Sequence, residues 1–165
     1  MTCGEYLINA VSSYNMNSNI KKSLEYYFDP NKRISLSEFS PESIGTFYDD
    51  IGAEYKLFDL ISIEWGRIDW DAVSNLDLAG WVIIDILNEV TYKHIFPSLV
   101  FELTKSSNLV TSIFLDGHLN MGHVYKDWEL EFYLSFDEKL RKLIGSILRN
   151  INEREARIAL ESYWM

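Results

Sequence analysis

Three stretches of this chain space their apolar residues at the period of an α-helix, and that recurrence limits its fold more than any other feature. From Thr91 to Leu103, Tyr92, Ile95, Phe96, Leu99, Val100 and Leu103 fall at i, i+3, i+4, i+7, i+8 and i+11, which is one helical face. Pro97 lies inside this run. A proline there removes a ladder hydrogen bond and costs on the order of 3 kcal/mol in a straight helix, so a kink or a fresh start at Pro97 is expected. Ser40-Pro41-Glu42 opens a second helix, whose apolar stripe runs Ile44, Phe47, Tyr48, Ile51, Tyr55 and Phe58. Gly45 and Gly52 weaken it, and a break at Gly52 is compatible with the pattern. Ser135 with Glu138 reads as a capping box opening a third, with Phe136, Leu140, Leu143, Ile144, Ile147, Leu148 and Ile151 on one side. The expectation is a mostly α protein.

The rest of the chain fits around these helices. Residues 5 to 14 and Ser18 to Phe28 read as short helices, the second stopped by Asp29-Pro30, because the residue before a proline leaves the helical region. Asp69 can cap a helix from Trp70, and Asn152 with Glu155 can cap a last helix carrying Ala156, Ala159, Leu160 and Tyr163. The apolar runs at 57–65, 81–87 and 107–115 suit either a helix or a buried strand. Trp128 to Leu134 alternates well enough for a strand that would pair with 109–115, so a short two-stranded element near 109–134, an α+β variant of the fold, stays open. At 165 residues, with no repeat and no linker, one domain spanning 1–165 is expected, burying roughly 70% of its unfolded surface.

Charge is the second constraint. Glu42 to Glu89 holds eleven acidic residues against Lys56 and Arg67, and so carries −9 of the chain's net −10. These acids alternate with large apolar groups, as in Phe47-Tyr48-Asp49-Asp50-Ile51 and Trp65-Gly66-Arg67-Ile68-Asp69-Trp70-Asp71, which marks a folded face rather than a solvated acidic tail. A content of 47% hydrophobic and 15% aromatic residues excludes wholesale disorder. A net charge of −10 opposes binding to phosphate backbones and anionic lipid, so no direct nucleic-acid or membrane partner is expected. The longest apolar run, Trp81 to Ile84, is far shorter than the ~20 residues of a membrane span. A single Cys3 and no secretory leader imply a cytoplasmic protein.

Motifs for chemistry are sparse. Asp116, His118 and His123 share one glycine-containing loop and make a permissible ligand set for zinc or iron, although their spacing matches no known framework. They carry the alternative reading, a metal-dependent hydrolase using the 116–123 loop. Carboxylate pairs such as Asp49/Asp50 and Asp69/Asp71 are expected by chance among 25 acids. There is no nucleophile elbow, phosphate-cradling glycine loop or dinucleotide fingerprint, so neither a catalytic residue nor a cofactor is assigned.

The acidic aromatic stretch suits a protein-binding surface, in which rings give desolvated anchors and carboxylates steer a basic partner. Asp49, Asp50, Glu54, Asp69, Trp70 and Asp71 are the residues expected to bind it. A resemblance points the same way. Trp70-Asp71-Ala72-Val73, Tyr92 with Phe96-Pro97-Ser98-Leu99, and Phe132 to Leu134 leading into the Ser135–Leu148 helix resemble a family of small bacterial proteins, which look like the acidic immunity proteins encoded beside polymorphic toxins. The likeness covers roughly the last 100 residues, and its motifs are structural, so it implies no site residue. What it implies is a non-enzymatic inhibitor of a cognate basic toxin, such as a nuclease. A self-associating adaptor is the remaining reading.

Overall fold

The computed structural model describes residues 17–29, 88–105 and 109–165. These are about three quarters helical and contain no strand, so the protein is mostly α. In chain order they form α1 (17–27), α2 (Glu89–Glu102), α3 (Leu109–Phe114) running into a π-turn π1 (Leu115–Leu119), α4 (Asp127–Leu134), α5 (Glu138–Arg149), and α6 (Arg154–Ala159) running into a second π-turn π2 (Leu160–Trp164). The expected helices at 5–14 and from Ser40, the 57–65 and 81–87 runs, and the helix from Trp70 lie outside the described residues.

The centre of the core is α2. The sequence places one apolar face on it, but every residue from Ile95 to Leu103 is buried, including Pro97, Ser98 and Phe101 off that face. A helix apolar on all sides belongs inside a bundle. It runs unbroken through Pro97, with no fresh start there. Phe96 is the hub. Its ring centroid lies 5.3 Å from Phe132, 5.5 Å from Tyr133, 5.7 Å from Phe136, 5.8 Å from Phe28, 6.0 Å from Tyr92 and 6.4 Å from Phe114. Tilted and edge-on pairs at these separations add about 0.5–1.5 kcal/mol each beyond the area they bury.

Residues 109–134 correct the two-stranded alternative. The 109–119 segment is helical, so Trp128 to Leu134 has no ladder partner there and folds as α4. Helical spacing gives it something better. Trp128, Phe132 and Phe136 form an i, i+4, i+8 row over α2, with Trp128 5.5 Å from Tyr92 and Phe132 4.7 Å from Phe136. The alternation survives only as a coincidence, since Leu134 is 63% exposed while Glu129 is buried.

Two helix starts also differ from expectation. Asp137, not Ser135, caps α5: its carboxylate accepts from the amide of Leu140 at 2.8 Å, while the Ser135 hydroxyl donates backward to the Phe132 carbonyl and closes α4. A capping box needs Ser135 to face forward, and the turn between the helices uses it the other way. Glu153 rather than Asn152 precedes α6. The expected α5 face holds, with Leu140, Ile144, Ile147 and Leu148 buried.

The C-terminal turn locks the bundle. Trp164 is fully buried and its indole N–H donates to the Leu119 carbonyl at 2.8 Å, tying π2 to π1. Gly145 on α5 is what lets it in. A Cβ built at Gly145 would sit 1.9 Å from the Trp164 carbonyl oxygen, well inside contact distance.

Candidate functional site

The loop singled out for its chemistry folds around π1, and the π geometry decides which side chains meet. Its defining bond runs from the Asn120 amide to the Leu115 carbonyl, five residues back. The turn points Leu115, His118 and Leu119 into the core and Asp116 into solvent. His123, just beyond, is exposed and its Nδ1 lies 3.0 Å from Asp116 Oδ1. Asp116 and His123 therefore pair outside while His118 bonds inside, so the three are not brought together as a ligand set. Among the described residues no group of three or more His, Cys, Asp or Glu side chains is placed to hold a metal ion.

What His118 meets is a buried polar chain. Its Nδ1 lies 2.8 Å from Glu129 Oε1, the same oxygen accepts from the Tyr133 hydroxyl at 2.7 Å, and Tyr133 in turn bonds the Tyr92 hydroxyl. The order of donors follows from the acceptor. A carboxylate only accepts, so Nδ1 carries the His118 proton, Tyr133 gives its proton to Glu129, and Tyr92 must donate to Tyr133. All four residues are at most 1% exposed. The rings support the hydrogen bonds: Tyr92 stacks on His118 at 5.3 Å, and Tyr133 meets Trp164 edge-on at the same separation.

Burial pushes the Tyr133 phenol well above its ordinary value, and the neighbouring Tyr92 and the Glu129 carboxyl push it further in the same direction. The phenol stays protonated across the physiological range and remains a donor. These four residues are sealed from solvent in this conformation. Their chemistry is cross-bracing: one hydrogen-bonded path links α2 through Tyr92, α4 through Tyr133 and Glu129, and π1 through His118. The Tyr163 hydroxyl extends it by donating to the Tyr133 carbonyl at 3.2 Å, which brings in π2.

Sequence reading found His118 and missed its partners. Glu129 and Tyr133 are four apart, a spacing that a helix brings into contact, whereas the period-two reading of Trp128–Leu134 kept them on one strand face about 13 Å apart. The residues expected to bind a partner, Asp49, Asp50, Glu54, Asp69, Trp70 and Asp71, lie outside the described residues. Among the described residues, no helix is long and apolar enough to cross a membrane. No protein-family model matches the chain, and no curated protein or solved structure is detectably similar to it.

Proposed function

We propose that this protein is an inhibitor of the immunity type, which binds a basic protein toxin in the cytoplasm and neutralises it by stoichiometric occlusion. The observation that carries this reading is the confinement of −9 of the net −10 to residues 42–89, interleaved with Tyr48, Tyr55, Trp65 and Trp70. Such a field speeds encounter with a positive partner, and desolvated rings slow its release. A braced helical core suits this role, since a surface that moves little on binding loses little affinity to ordering. The buried polar chain is consistent with it, because each of its groups serves packing rather than chemistry.

The test has two parts. If the neighbouring reading frame encodes a large secreted protein with a variable C-terminal domain, that domain is expressed alone and then with this chain, and growth is expected to be arrested in the first case and restored in the second. The variant Asp49→Asn, Asp50→Asn, Glu54→Gln, Asp69→Asn, Asp71→Asn is expected to slow association with that domain by about 10-fold or more at low salt, an effect that fades as ionic strength rises. Trp70→Ala is expected to act instead on the dissociation rate. Unchanged kinetics in both variants would remove the acidic surface from the interface.

A further inference from the structure

The last 28 residues reverse the charge of the chain. From residue 138 onward, Lys139, Arg141, Lys142, Arg149, Arg154 and Arg157 face Glu138, Glu153, Glu155 and Glu161, a net of +2 in a protein of −10. Three of these arginines gather at one place. Where α5 ends and α6 begins, Arg149, Arg154 and Arg157 line an open groove of about 380 Å³ whose apolar residues are Leu148, Ile151 and Leu160.

None of the three guanidiniums has an ion-pair or hydrogen-bond partner among the described residues, although Glu153 and Glu161 stand at helical spacing from Arg157. Among the described residues Glu153 is the one acid in the groove lining, and its Oε2 accepts from the Ser112 hydroxyl of α3 at 2.9 Å. Among these residues the groove thus gathers three positive charges that no ion pair offsets. Guanidinium groups present forked donors that match carboxylates two bonds at a time, and the half-buried Ile151 and Leu160 offer an apolar seat beside them.

We propose that this groove binds an acidic peptide segment of a partner protein, with carboxylates on the arginines and an apolar side chain on Ile151 and Leu160. Two features favour a peptide over nucleic acid. Among the described residues no aromatic ring lines the groove to stack a base, and the overall charge of the chain repels an extended polyanion while tolerating a short one. In sequence the groove residues lie well after the acidic stretch, so the protein would hold charge of both signs for its partners.

The experiment titrates the full-length protein with an eight-residue peptide alternating glutamate and leucine, followed by backbone amide chemical shifts. Saturable shifts confined to the groove residues are expected. The exposed triple variant Arg149→Gln, Arg154→Gln, Arg157→Gln, with an unchanged circular dichroism spectrum, should weaken binding by about tenfold or more, as should replacing every glutamate of the peptide with glutamine. Equal binding by the glutamine peptide or by the triple variant would overturn the proposal. So would displacement of the peptide by inorganic phosphate or a single-stranded oligonucleotide at lower concentration than a second acidic peptide, which would make this a phosphate site.

Discussion

At the scale of single residues, the fold depends on a carboxylate in the middle of its core. Glu129 is tolerable there because two donors reach one of its oxygens, and a buried charge without such partners costs several kcal/mol. Tyr133→Phe removes one of the two donors to Glu129 and one hydrogen bond of Tyr92, so a loss of about 1–3 kcal/mol is expected in urea unfolding at pH 7. The same residue predicts a pH dependence. In the unfolded chain the phenol ionises near pH 10, while in the folded protein burial holds its proton to much higher pH. Its stabilising contribution is therefore complete below pH 10 and declines above it, at about 1.4 kcal/mol per pH unit, until the folded phenol itself ionises. Between pH 10 and 11 the stability gap between wild type and Tyr133→Phe should close by that slope. A gap that stays constant would show that Tyr133 ionises alike in both states.

At the scale of elements, helix ends and close approaches carried the surprises. Asp137 caps α5, so Asp137→Ala should cost about 1 kcal/mol, whereas Ser135→Ala should cost a fraction of that, since its hydroxyl only supplements backbone bonds at the end of α4. Urea midpoints of the two variants decide between this arrangement and the capping box that the sequence suggests. Gly145 is a sharper case. Gly145→Ala improves helix propensity by about 1 kcal/mol, yet its methyl group cannot coexist with the Trp164 carbonyl, and a net loss of about 1–3 kcal/mol is expected. Enhanced indole fluorescence quenching by acrylamide would show that the C-terminal turn, rather than α5, gives way. The segment 128–134 shows why the strand reading failed: period two and period 3.6 place nearly the same apolar residues over seven positions, and only the rings of α2 beneath them decide between the two.

At the scale of the whole molecule, the described core and the chain's negative charge come from different stretches. Residues 88–165, with Leu24 and Phe28 of α1, supply the described core, the aromatic cluster and the polar brace, while the negative charge proposed to meet a toxin falls almost wholly at 42–89. Stability and binding should then separate. The five-fold charge-neutralising variant in the 42–89 stretch is expected to unfold within about 1 kcal/mol of wild type, as surface substitutions do, while losing its salt-dependent association. A collapse of stability instead would place those carboxylates within the fold's own interactions. Sequence by itself determined the helical class, the α5 face and the helix around Pro97, because each rests on a periodicity sustained over three or more turns, and it determined the charge asymmetry, which is only counting. Tertiary structure alone decided that Glu129 is buried beside His118, that Asp116 and His123 face away from it, that Gly145 admits Trp164, and that three arginines share a groove. Those outcomes depend on contacts between residues far apart in sequence, and no local pattern records which face of a helix its neighbours will cover.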